Sequence, residues 1–166
     1  AIRGVPMIVL AFFVFFGVPQ FAKDILGIPL KFSGLQAGTI CLSLNCGAYM
    51  SEIIRGGIQS VDKGQMEAAR SLGLPYWRSM QRVVLPQAIK TMIPSIINQF
   101  IITLKDTSIL SVIGFPELVN SAKNVVANTF ALFQTWGIVA LMYLFVITLL
   151  SLLAKYIEGR LARGRE

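Results

Sequence analysis

Gln65-Met66-Glu67-Ala68-Ala69-Arg70-Ser71-Leu72-Gly73-Leu74-Pro75-Tyr76-Trp77, followed by Val83 and Leu85-Pro86, is the stretch whose reading decides the rest of the chain. It is polar and basic, yet apolar segments flank it on both sides. Gln65 to Leu72 is made of good helix formers, Gly73 stands where a C-terminal cap would end the run, and Pro75 with Tyr76-Trp77 suits the start of a second helix. A helix-glycine-helix pair is expected. Small residues at Ala68, Ala69 and Gly73 would let another protein approach the backbone, and Glu67 would accept hydrogen bonds at the rim. Trp77, Met80 and Val84 would be apolar anchors. The segment reads as a socket for a cytoplasmic partner, or else as an ordinary amphipathic hairpin whose Ala and Gly serve its own packing.

Composition says what surrounds the socket. The chain has 166 residues, of which 55% are hydrophobic and only 14% charged, with a mean hydropathy of +0.69. That is too apolar for an ordinary soluble domain and fits a bilayer. Fifteen Lys and Arg against eight Asp and Glu give +7, a balance that would suggest nucleic acid in a soluble protein. Here the cations are segregated: Arg55, Lys63, Arg70, Arg78, Arg82 and Lys90 cluster around the socket, and Lys155, Arg160, Arg163 and Arg165 at the C-terminal end. This is the positive-inside pattern, which makes both regions cytoplasmic and leaves no need for a nucleic-acid partner.

Catalytic and redox chemistry find little to work with. The sequence has no His, no Cys-x-x-Cys pair and no phosphate-cradling Gly-x-x-x-x-Gly-Lys-Ser/Thr, so no metal or nucleotide site is expected on this chain. Cys41 and Cys46 fall within one apolar segment and read as small packing residues. Ala1-Ile2-Arg3 has neither an initiator Met nor a signal-peptide start, so upstream membrane helices are expected.

Four apolar segments emerge, at about 6–18, 34–54, 92–104 and 130–153, with a cytoplasmic segment at about 56–90. They predict an all-α membrane protein formed as one transmembrane domain. The first segment, bounded by Pro6 and by Gly17 and Pro19, would cover only ~20 Å of a ~30 Å hydrocarbon core, with residues 20–32 as an outer loop. The third should kink at Pro94. Residues 108–128 read as a turn and a short helix near the outer surface.

Polar residues inside such segments are costly and by default mark a pathway, a pairing or an interface. Asn45, Tyr49 and Glu52 form one stripe, and Ser95, Gln99, Thr103 and Asp106 another. Glu52 also stands three residues from Arg55 and could form a structural ion pair. Asp106 would lie ~20 Å into the bilayer if its segment enters near Met92, or at the outer headgroups if it enters elsewhere. Arg3-Gly4-Val5-Pro6 would start a helix near the midplane. Its free amides and the positive end of its dipole would attract an anion, with Gly4 allowing close backbone approach. The alternative is a longer helix with a proline kink. Together, an anion-attracting helix start and Asp106 would suit a zwitterion such as an amino acid.

The spacing Glu67-Ala68-Ala69, Gly73, Val83, Leu85-Pro86 resembles the EAA loop of bacterial ABC importer permeases, with Val83 where that loop has Ile. Arg3-Gly4-Val5-Pro6, residues 51–61, Gly64-Gln65-Met66-Glu67-Ala68-Ala69 and Lys105-Asp106-Thr107-Ser108 are similar to the polar amino-acid branch of that family. Val5 replaces the Thr usual there. The resemblance spans residues 3 to about 161.

It implies the helical type I importer transmembrane domain without its N-terminal helices, in the bacterial cytoplasmic membrane. It further implies a second permease chain, identical or not, and a solute-binding protein or domain outside. ATPase subunits inside would hold the ATP and Mg, this chain binding no cofactor and catalysing no reaction itself. Arg3, Gly4, Val5, Asp106 and Ser108 are thus candidates for substrate contact, although Arg3 could instead pair with a carboxylate elsewhere in the complex, and by the resemblance Glu67, Ala68, Ala69, Gly73, Leu74 and Trp77 are candidates for contact with the ATPase. An ion-coupled secondary amino-acid transporter could use the same broken helix and Asp106 but would not need the EAA-like loop. A membrane scaffold or channel subunit would use the polar stripes to hold helices together.

Overall fold

The structure, a computed structural model, describes residues 2–163. It is helical, with no strand among the described residues. After a 3-10 turn at Ile2–Gly4, helix α1 occupies Met7–Leu26. Helix α2 is Gly34–Gln59 and helix α3 Lys63–Ser71. Helix α4 runs over 76–106 and passes into a 3-10 helix at Thr107–Ile113. Helices α5, Leu118–Thr129, and α6, Leu132–Arg163, complete the chain. Three helical runs, Met7–Leu26, Tyr76–Ile113 and Leu132–Arg160, are long and apolar enough to cross a membrane. Helix α2, which carries Asn45, Glu52 and Arg55, is not among them.

Two prolines, Pro19 and Pro86, lie within continuous helix. The first segment does not stop at Val18 but continues through Pro19 to Leu26, so residues 20–26 are helix rather than loop. Similarly, Leu85-Pro86 does not separate the basic segment from the third apolar one, because α4 is helical on both sides of it. A common device explains both. A π turn at Phe13–Gly17 precedes Pro19, with the Val18 amide bonded to the Phe13 carbonyl. A second, at Met80–Val84, precedes Pro86, with the Leu85 amide bonded to the Met80 carbonyl. Proline removes a donor and presses its ring on the turn before it. A wider turn placed there relieves the contact and lets the helix go on.

The chain divides into two compact units, residues 1–48 with 101–150 and residues 49–100 with 151–166. In the first, Met7, Ala11 and Val14 of α1 pack with Ala37 and Cys41 of α2 and with Leu110 and Ile113 of the 3-10 helix. Glycine allows α2 to come this close. A Cβ on Gly34 would lie 2.5 Å from the Ile113 carbonyl oxygen, and one on Gly38 would lie 2.1 Å from the Phe115 ring. The Cys41 thiol reaches the Leu10 carbonyl at 3.6 Å, a packing role. In the second unit α3 folds back on residues 76–84 of α4, and Gly57 lies against Met92.

Candidate functional site: a coupling elbow and an uncapped acid

The elbow is built by capping at every step. Asp62 caps α3, its carboxylate accepting from the Gly64 amide at 2.6 Å. At the other end Gly73 adopts φ +85°, the left-handed region open to glycine. Its amide bonds Arg70 O at 2.9 Å and the Leu74 amide bonds Ala69 O at 3.2 Å, which is the Schellman closure of a helix end. Pro75 then caps the helix beginning at Tyr76. Ser79 is wholly buried in the bend, donating to the Pro75 carbonyl at 3.2 Å. Gln87 contributes one further link across the elbow, to Gln65 at 3.4 Å.

With its polar backbone satisfied locally, the elbow exposes apolar side chains. Leu72 is 84% exposed, Trp77 64% and Tyr76 56%, and Glu67, Ala68, Gly73, Arg70, Arg78 and Arg82 are exposed around them. Leu74 is half-buried. Two residues expected at the partner surface are not there. Ala69 is 5% exposed, its small size serving the approach of α4 to α3. Val84 is buried too and anchors the hairpin rather than a partner.

The second group lies at the change from α-helix to 3-10 helix after Asp106. Such a change frees carbonyls, and two hydroxyls take them up: Thr107 donates to Leu104 O at 2.7 Å and Ser108 to Lys105 O at 2.6 Å. Ser108 therefore has only acceptor capacity left for a ligand. Asp106 occupies the cap position of the 3-10 helix, yet its side chain makes no capping bond. Half-buried, its carboxylate has no hydrogen-bond or ion partner among the described residues.

At the chain start, Pro6 takes the cap position of α1 rather than the first helical one, with no side-chain cap. Gly4 and Val5 are exposed, and a Cβ on Gly4 would meet nothing within 4 Å. Arg3 is engaged in an interaction of its own. Gly4, Val5, Asp106 and Ser108 belong to one unit, whose core joins Met7 to Leu110. No bond links Asp106 to Gly4 or Val5 among the described residues. The premise of a short first helix also fails, since Met7–Leu26 has 20 residues and reaches ~30 Å.

Sequence reading passed over a third set. Glu117 caps α5, its carboxylate accepting from the amides of Val119 at 2.7 Å and Asn120 at 2.5 Å, and receives the Tyr143 hydroxyl at 3.4 Å. The Lys123 ammonium donates to the buried Ser111 hydroxyl at 2.9 Å. Pro116-Glu117 ahead of an apolar run was a legible cap signal. The cross-links to Tyr143 and Ser111 had no local signature.

Helical runs of membrane length and a capped, basic elbow with an apolar tip define a membrane-embedded subunit that works with a partner protein. The family described as "Binding-protein-dependent transport system inner membrane component" matches residues 1–163, and the chain belongs to it. The probable glutamine ABC transporter permease protein GlnM of Bacillus subtilis is 41% identical over 163 residues, 98% of this chain and 72% of that protein. The glutamine transport system permease protein GlnP of Escherichia coli K12 is 36% identical over 160 residues, 96% of this chain and 71% of that one. A crystal structure of an amino acid ABC transporter with histidines matches with a TM-score of 0.87 and 39% identity, over 96% of this chain and 71% of its own. The methionine ABC transporter MetNI, in an inward-facing form, is alike in fold at a TM-score of 0.74 and 17% identity. This chain is thus a multi-pass permease subunit of an ABC importer in the cytoplasmic membrane. ATP hydrolysis belongs to its partner subunit.

Proposed function

We propose that the permease passes a polar amino acid of the glutamine kind, handed over by an extracytoplasmic binding protein and driven by an ATPase docked on the elbow. The observation that carries this reading is the Asp106 carboxylate, which stands at a helix cap without capping it and has no partner among the described residues. A carboxylate kept within an apolar unit is expensive unless a cation meets it, and the ammonium of an amino acid is such a cation. Ser108 would accept a further hydrogen bond, and the exposed backbone at Gly4 and Val5, with Arg3, would face the substrate carboxylate. Relatives named for glutamine transport support an uncharged polar side chain.

On the cytoplasmic side Leu72, Tyr76 and Trp77 would enter the ATPase cleft, with Glu67, Ala68 and Gly73 at its rim. Two permease chains, identical or not, would complete the pathway. The test is uptake of radiolabelled amino acids into proteoliposomes holding the full importer. ATP-dependent uptake of glutamine, competed by neighbouring polar amino acids and abolished without the binding protein, is expected. Uptake driven by an ion gradient without ATP would overturn the reading.

A further inference from the structure

The 3-10 helix that follows Asp106 has seven residues, Thr107–Ile113, where runs beyond three or four are uncommon because their hydrogen bonds are poorly aligned. Something outside the segment therefore has to hold it. Leu110 and Ile113 anchor one face in the apolar core. The other restraints are polar and come from α5 and α6. Lys123 bonds Ser111 in the middle of the segment. At its start, Thr107 and Tyr143 line one cavity of about 220 Å³ together with Leu104, Leu118, Met142 and Val146. The Tyr143 hydroxyl lies within reach of both Thr107 and Glu117. Glu117 is itself held, because two backbone amides of α5 donate to its carboxylate.

We infer that Glu117 and Tyr143 are a positioning pair for the substrate acid: Glu117, fixed by the α5 amides, takes the proton of the Tyr143 hydroxyl and so turns its oxygen, as an acceptor, toward the Thr107 hydroxyl beside it, which steadies Thr107 and with it the carboxylate of Asp106. Neither residue touches the substrate. Glu117 serves three donors at once, an arrangement that an apolar residue of similar size could not replace. The inference rests on Asp106 being the acid that meets the substrate ammonium, and the experiment separates the two.

The measurement is equilibrium binding of radiolabelled L-glutamine to the full-length permease assembled with its ATPase, in detergent and without binding protein, for wild type, Tyr143→Phe, Glu117→Gln, Asp106→Asn and the Tyr143→Phe/Asp106→Asn pair. Tyr143→Phe deletes one hydroxyl and keeps the ring. It is expected to weaken binding about 3- to 10-fold, the range for loss of one ordinary hydrogen bond. Glu117→Gln leaves one oxygen where the carboxylate has two; with that oxygen kept on the Asn120 amide, an NH2 replaces the acceptor that Val119 and Tyr143 share, and binding should weaken to a similar degree. In the double variant the Tyr143→Phe effect should disappear, which a merely structural residue would not produce. Wild-type binding by Tyr143→Phe, or a full additional loss in the double variant, overturns the positioning pair and leaves the role of Asp106 standing if Asp106→Asn alone is impaired. Wild-type binding by Asp106→Asn, or no saturable binding by the wild-type complex, overturns the reading of Asp106 itself and the pair with it.

Discussion

The elbow and the Asp106 segment both leave regular α-helix, and they do so by opposite means. In the elbow the polar groups are satisfied within the chain: Asp62 caps one helix end, the Gly73 turn closes the other, and Ser79 fills the bend. What remains unsatisfied is apolar surface at Leu72, Tyr76 and Trp77. In the Asp106 segment Leu110 and Ile113 are buried in the core, and the group left without a partner is a carboxylate. Leftover apolar surface is relieved by a protein with a matching cleft, and leftover charge by a small ion of opposite sign. On the proposed reading, the two remainders correspond to the two tasks of an importer subunit.

Glycine marks the same contrast and offers the largest test of it. Gly34 is required by distance, since its Cβ would meet the backbone at Ile113 and Gly114 within 2.7 Å, and backbone cannot swing aside. Gly34→Ala is expected to cost about 3 kcal/mol, seen as a clear drop in the thermal unfolding midpoint of the purified complex. An unchanged midpoint would mean that α2 and the 3-10 helix do not approach as closely as described.

Gly73 is required by angle instead. Space around it is open, so Gly73→Val should cost only about 1–2 kcal/mol of left-handed strain. Gly73→Asn, which tolerates that region, should retain stability but bind the ATPase less well because a side chain now stands in the partner's path. Full ATPase binding by Gly73→Asn would show that the turn, and not the missing side chain, is what the partner requires.

The smallest effect belongs to the start of the elbow. Asp62→Ala removes the cap from the Gly64 amide and should cost about 1 kcal/mol. Faster hydrogen exchange confined to the first turn of α3 would report it. Exchange unchanged there would mean that the cap contributes nothing.

How much of this was legible in the sequence depends on whether the cause was local. The elbow was legible because Gly73 after a run of helix formers and Pro75 before Tyr76 carry their instructions within a few residues. Asp106 stood out because a charge in an apolar run is costly wherever it lies. The continuity of α1 and α4 was not legible, since whether a helix survives Pro19 or Pro86 depends on a π turn that composition does not announce. The inward face of Ala69 was equally hidden, because a small residue looks alike whether it admits a partner or a neighbouring helix. The Tyr143 to Glu117 link spans 26 residues, and only the fold brings its ends together.

The central claim is that the two remainders act independently, and one paired measurement on the reconstituted importer tests it: glutamine binding and ATPase association, each determined for Asp106→Asn and for Trp77→Ala. Removing one member of a desolvated charge pair costs several kcal/mol, so Asp106→Asn should bind glutamine roughly 100-fold more weakly while holding the ATPase as wild type does. Trp77→Ala should show the reverse, with ATPase association reduced roughly 30-fold or more, as for an exposed aromatic anchor, and glutamine binding intact. Loss of both properties in either variant, or of neither, would contradict the division of labour.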